Sequence, residues 1–575
     1  MLFISSSMRT SGLSPFAENT FQTNTLSTPC LTTIDLWLQL SEGIMMLKIR
    51  ILFSIINIIY AIFRRILLFI YKKPSRIPPI THPIYMLSAT TLARKIRQRE
   101  ITSCEVVEAY ISRIKEVNPF INAAIDERFS DALIEAKNCD EQLKKGEFDI
   151  ETLEKCKPLY GVPITIKECL AVKGLSHTGC TLPRKGVKAD HDAEVVKMVR
   201  NAGAIPLGVT NTPELCFAYD STNLLYGRTC NPYDTRYSPG GSSGGEGALL
   251  GAGASVMGIG SDMAGSIRLP AFLNGVFGHK STPGVVSTNG HFPYTDDAFL
   301  QMILTIGPMT KYAEDLSLLM KVMTSKCNRD LRLDVPVDLK QIKIYYREGL
   351  DRSFGILSTP PKIENCVQQA ANHFVRYDIP VQKLPIEWPV TIPEIVLTQF
   401  TLVKDRPRLL LDANHSENQE RPTAEMMKAL FGLSQYTKQM LTFTVSFQPN
   451  FLFTKSEISY YSKQTDDLRQ KLLDLLGDDG VLIYPTFRNQ FLPQLLLCEL
   501  LSFSSCALFN IFGCPATHVP MGLDHDGMPV GVQVIAAPYQ DRLCLAVAKE
   551  LEMAFGGWVP PSVSIGDKVS EGFCK

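Results

Sequence analysis

The sequence predicts an α/β protein: one large catalytic domain behind an N-terminal appendage. Three observations carry this expectation. Hydrophobic residues make up 45% of the 575, enough to build a large buried core. Only 20% are charged, and 58 basic side chains balance 58 acidic ones, which excludes both a disordered chain and a polycationic nucleic-acid binder. Through a glycine-rich middle, short β-type runs alternate with helix-type segments, the pattern of a mixed, twisted sheet flanked by helices.

The chain is read in three parts: an extension over 1–43, a membrane-anchoring helix over 44–73 and a catalytic domain over 74–575. Residues 1–43 hold 14 Ser or Thr and no apolar run of signal-peptide length, so they read as a solvated, disordered extension. Met45 and Met46, just before the next feature, are candidate start positions. Ile51 to Phe63 is a run of thirteen uncharged residues, followed by Arg64-Arg65, then ILLFIY, then Lys72-Lys73. A span needs roughly 20 apolar residues, so two readings stay open: a tilted span that snorkels its arginines, or a helix lying in the interface. Between Ile44 and Arg99 there are eleven Lys or Arg and no Asp or Glu, which favours an anionic lipid surface. Most of those cations follow the apolar run, which places the catalytic domain in the cytosol.

Fifteen cysteines include no C-x-x-C pair, and nine histidines form no ligand-spaced pair, so neither a disulfide framework nor a metal is expected. No cofactor is expected either.

Fourteen of 38 glycines fall between Gly240 and Gly290, interleaved with core-like apolar pieces. Two serine clusters stand there: Gly240-Gly241-Ser242-Ser243-Gly244-Gly245 and Ser261-Asp262-Met263-Ala264-Gly265-Ser266-Ile267-Arg268. Glu246 to Ala254 reads as a helix and Ser255 to Gly260 as a strand, which would bring the chain back and make Ser242 and Ser266 neighbours. Around Ser266, the backbone N–H groups of Met263, Ala264, Gly265 and Ser266 outline an oxyanion hole. A tight structural turn is the plainer reading of the same residues.

A serine needs a base. In Gly161-Val162-Pro163-Ile164-Thr165-Ile166-Lys167-Glu168, period-two alternation puts Thr165 and Lys167 on one strand face and Glu168 away from Lys167. A desolvated lysine without a carboxylate partner is disfavoured in its charged form and can act as a neutral base.

Together these pieces resemble the amidase signature family. The resemblance runs through Gly278-His279-Lys280-Ser281-Thr282-Pro283-Gly284, Gly307-Pro308-Met309, Asn510-Ile511-Phe512-Gly513-Cys514-Pro515-Ala516 and Pro529-Val530-Gly531-Val532-Gln533-Val534, covering about residues 85 to 560. It implies an amide hydrolase with Ser266 as nucleophile, Ser242 as bridging serine and Lys167 as base. It further implies a cis Gly241–Ser242 peptide, and Asp262 with Arg268 bracing the nucleophile's turn. Two departures matter: Ala264 replaces the first glycine of the family's Gly-Gly-Ser, and Glu168-Cys169 replaces the polar pair after the lysine. The first requires that the turn tolerate an L-residue at 264.

The rivals are weaker. Gly240-x-Ser242-x-Gly244 fits a nucleophile elbow, but the preceding Asp234 to Pro239 is polar and proline-bearing rather than a strand. Gly275 to Ser281 misses the second glycine of a phosphate-binding loop. A membrane-anchored scaffold that kept the fold is the non-enzyme alternative.

Within the family, the hydrophobic N-terminal segment and the string GIGSDMAGSIR resemble members that hydrolyse fatty-acid amides. That implies primary fatty amides and N-acylethanolamines as substrates, a membrane or lipid-droplet partner surface, and a homodimer. Small or aryl amides, or an amidotransferase subunit acting on tRNA-linked residues, are the alternatives. Residues 330–480 are expected to supply helices and the substrate side, with Leu430 to Phe453 as candidate channel lining.

Overall fold

The computed structural model describes residues 76–349, 358–403, 409–410, 421–446, 453–499 and 502–561, with eight positions between 51 and 70. All belong to the unit Ile49–Lys575. The extension expected over 1–43 lies outside the described residues.

Thirteen strands are present among these residues. They are β1 (Ala124–Glu127), β2 (Pro163–Lys167), β3 (Ile205–Thr210), β4 (Thr222–Asn223), β5 (Gly227–Arg228), β6 (Met257–Asp262), β7 (Phe277–Lys280), β8 (Thr305–Thr310), β9 (Lys343–Tyr346), β10 (Val381–Lys383), β11 (Gly480–Pro485), β12 (Ala516–Leu523) and β13 (Pro529–Ala536). Eleven form one sheet in the order β1-β3-β2-β6-β8-β7-β12-β13-β11-β9-β10, and β4 pairs only with β5. The sheet is mixed: β2 runs parallel to both β3 and β6, whereas β6, β8, β7, β12, β13 and β11 pair antiparallel in turn. β2, β3 and β6 are buried along their whole length, as expected of parallel strands covered on both faces. This is the α/β architecture anticipated from the sequence.

Helix α1 (Ser103–Ile121) starts at a capping box of Thr102 and Glu105. Its Ser103 Oγ donates to the Gly161 carbonyl at 2.8 Å, tying the helix to the entry of β2. Helix α2 (Gly244–Gly251) precedes β6, and helix α3 (Arg268–Leu273) follows it. The expected helix at 246–254 and strand at 255–260 are both present, each shifted by two residues or so; the small side chains of this stretch blur the boundary. Residues 330–480 contribute helices over Pro361–Val375, Ile392–Thr401, Pro422–Leu430, Lys438–Ser446 and Lys455–Leu476, as expected, and also strands β9 and β10.

No helix among the described residues is long and apolar enough to cross a membrane, so the spanning reading of 44–73 gains no support. Most of that segment lies outside the described residues. Its eight described positions are helical, with Ile51, Ile55, Ile58, Ile62, Ile66 and Ile70 exposed at one helix-spaced face. Leu67 instead packs against a core cluster containing Tyr233, Tyr237, Leu492 and Met528.

Candidate active site

Because β2 and β6 are parallel neighbours, their carboxyl ends open on the same side of the sheet, where ligands bind in open α/β folds. Lys167 is the last residue of β2 and Asp262 the last of β6. Ser242 lies just before α2 and Ser266 just before α3, and the Ser243 amide donates to the Ser266 carbonyl at 3.1 Å. The strand–helix return therefore brings the two serine clusters together, as anticipated. The Gly241–Ser242 peptide is cis. Asp234 to Pro239 contains no strand, which removes the elbow geometry around Ser242.

The Lys167 side chain is fully buried, and its polar neighbours are two hydroxyls and a carbonyl. Its Nζ lies 2.6 Å from Ser242 Oγ, 3.0 Å from Ser261 Oγ and 3.3 Å from the Ser261 carbonyl. Glu168 points elsewhere, as the strand alternation requires: its Oε1 accepts from the Thr178 hydroxyl at 2.6 Å. Burial pushes the Glu168 pKa up to about 7, against the Thr178 hydrogen bonds. Behind the lysine, Glu246 accepts from Thr165 Oγ1 at 2.6 Å and Thr210 Oγ1 at 2.9 Å. Burial raises its pKa to about 8, so this carboxyl is held protonated and leaves Lys167 without an anionic partner from below at neutral pH.

The turn that carries Ser266 rests on a buried ion pair. Asp262 accepts from the amides of Gly265 (2.7 Å) and Ile267 (3.1 Å) and from Arg268 Nε and Nη2. Burial alone would raise the Asp262 pKa, but the Arg268 guanidinium holds it well below the carboxylate range. Arg268 in turn donates to Asn510 Oδ1 at 2.5 Å and Gln533 Oε1 at 2.9 Å. Gly265 carries the left-handed backbone, φ 113°, while Ala264 has none of the positive φ that would strain an L-residue. The alanine substitution therefore falls where the turn tolerates it.

A mainly apolar cavity opens at these residues. Ser242, Ser261, Met263, Ala264, Ser266 and His291 line its polar end; Leu300, Leu304, Phe400, Leu409 and Phe443 are among its apolar walls. Of the expected oxyanion-hole residues, Met263, Ala264 and Ser266 line the cavity, whereas the Gly265 amide is engaged by Asp262. Phe443 comes from the stretch expected to line a channel.

Sequence reasoning named Ser261, Asn510 and Gln533 within motifs but assigned them no role, and it passed over His291; Ser261 contacts both Lys167 and His291. No local signal marks these roles, since each rests on a contact between segments distant in the sequence. Asp524, His525 and Asp526 form the metal-like grouping among the described residues, yet Asp524 Oδ1 already accepts from the amides of Asp526 and Met528 within a turn. They line no part of the cavity.

Fold and site thus define an α/β amide hydrolase built on the amidase signature. The chain belongs to the amidase family: the family model named Amidase matches residues 105–545. It is 38% identical over 500 residues to fatty-acid amide hydrolase 2 of Homo sapiens, covering 85% of this chain and 93% of that one. To fatty-acid amide hydrolase 2-B of Danio rerio it is 40% identical over 507 residues, 86% and 94% of the two chains. Among solved structures, one titled fatty acid amide hydrolase superposes with a TM-score of 0.64 at 22% identity, over 83% of this chain and 86% of that chain, and carries the fold alone.

Proposed function

We propose that this chain cleaves fatty-acid amides, primary amides and N-acylethanolamines among them, through a Ser266–Ser242–Lys167 relay and an acyl-enzyme. The observation that carries the reading is the 2.6 Å approach of Lys167 Nζ to Ser242 Oγ beside a cavity that also holds Ser266. In this reading the neutral Lys167 amine takes the Ser242 proton as Ser242 takes that of Ser266, whose Oγ attacks the amide carbonyl. The amides of Met263, Ala264 and Ser266 receive the developing oxyanion. The proton returns along the same path to the leaving nitrogen, because an unprotonated amine leaves poorly. Water then releases the fatty acid.

The apolar walls and the fatty-acid amide hydrolases among its relatives support a lipid acyl chain as the substrate's tail. The exposed isoleucine face at 51–70 supports attachment to a lipid surface by a helix lying in the interface. Labelling with a long-chain fluorophosphonate, followed by peptide mapping, tests the relay on wild type, Ser266→Ala, Ser242→Ala and Lys167→Ala. Label on Ser266, absent in Ser266→Ala, slowed in the other two and competed by oleamide, is the expected outcome. Label on Ser242 or Ser243, or none in the folded protein, sinks the reading.

A further inference from the structure

Ser261 Oγ stands between two nitrogens: Lys167 Nζ at 3.0 Å and His291 Nε2 at 3.1 Å. The hydroxyl is buried, and His291 reaches it from a separate loop. That loop is fixed beside the end of β2 by an antiparallel bridge between Leu170 and His291, with the Ala171 amide donating to Gly290 and the Phe292 amide to Cys169. His291 also lines the catalytic cavity.

The proton positions follow from donor chemistry. His291 Nδ1 lies 3.1 Å from the Pro293 carbonyl, which only accepts, so Nδ1 carries the hydrogen. In the neutral ring Nε2 is then bare and accepts from the Ser261 hydroxyl. Burial lowers the His291 pKa, against Cys216 and the Pro293 hydrogen bond, which favours that neutral ring. With its proton directed to His291, Ser261 Oγ presents lone pairs to Lys167 and to the Cys169 thiol 3.6 Å away. A neutral lysine amine has two hydrogens and one lone pair. In the neutral state that the relay requires, the two Lys167 hydrogens go to Ser261 Oγ and the Ser261 carbonyl, which leaves the lone pair for Ser242.

We propose that His291 is a positioning residue for the hydrolysis, acting through Ser261 to aim the Lys167 lone pair at Ser242. Without an acceptor at Nε2, the Ser261 hydroxyl turns its hydrogen toward Lys167 and competes with Ser242 for the same lone pair. The inference rests on the relay of the preceding section.

The test compares His291→Leu, which removes the acceptor, with His291→Gln, whose amide oxygen replaces it, in the full chain. Fluorophosphonate labelling rate on Ser266 and steady-state hydrolysis of oleamide are the readouts, with Lys167→Ala as control. His291→Leu is expected to lower kcat and labelling by about tenfold with KM little changed, and His291→Gln to restore both to within about threefold. In a Ser261→Ala background, His291→Leu should have little further effect. If Lys167→Ala labels slowly while His291→Leu labels at the wild-type rate, the role of His291 is wrong and the relay stands. Equal loss in the Leu and Gln variants also overturns it. If Lys167→Ala labels at the wild-type rate, the relay fails and this role with it.

Discussion

Arg268 and Asp262 form a fully buried ion pair beneath the turn that carries Ser266, with Nη2 3.0 Å from Oδ1 and Nε 3.1 Å from Oδ2. The same carboxylate holds the Gly265 and Ile267 amides, so the ion pair and the position of Ser266 are one structure. Removing one partner of a buried pair leaves the other charge uncompensated, at a cost of about 3–5 kcal/mol. Asp262→Ala should therefore lower the thermal midpoint sharply and abolish fluorophosphonate labelling. A variant that melts and labels as wild type would show that the pair braces nothing.

Gly265 is fixed twice over. Its φ of 113° disfavours any L-residue, and an added Cβ would lie 2.7 Å from Cys506 Cβ. Gly265→Ala is expected to lose nearly all Ser266 labelling, while Ala264→Gly, at a position free of positive φ, should keep it within about threefold. The opposite ranking in a labelling time course would contradict this account of the turn.

Glu246 makes stability depend on pH in a definite direction. Its folded pKa of about 8 lies above the ordinary carboxylate value of 4.5, so the native state keeps a proton that the unfolded chain releases between those limits. Stability present below pH 4.5 is thus lost as pH rises toward 8, by up to about 1.4 kcal/mol per unit. Glu246→Gln removes the titration. Its midpoint relative to wild type, followed by thermal shift at fixed scan rate, should rise from pH 5 to pH 8; a difference that stays flat would refute the assignment.

The cavity wall should discriminate by chain length. Leu304 is buried and lines the apolar end, so Leu304→Trp fills space that a long acyl chain would occupy. We expect kcat/KM for oleamide to fall about tenfold more than for a four-carbon amide. Equal losses for both would place the acyl chain elsewhere.

Much of the site was legible because its parts are local. The strand alternation around Lys167 gave the side of Glu168, and the short helix and strand between the serine clusters gave their return. Ala264 was readable as a change that the backbone must tolerate, and Gly265 is where the positive φ falls. The apolar run at 51–63 read equally as a span or an interfacial helix, because hydropathy alone does not distinguish a helix with lipid on all sides from one with lipid on a single face.

The sequence by itself determined the α/β class, the serine clusters and the strand lysine, since each depends on spacings of a few residues that backbone geometry converts directly into faces and turns. Only the tertiary structure decided that Asn510 and Gln533 close around Arg268, that His291 stands behind Ser261, and that Leu304, Phe400 and Phe443 wall one cavity. Those contacts join segments tens to hundreds of residues apart, and their pairing is set by how the whole sheet and its helices pack, for which no local periodicity exists.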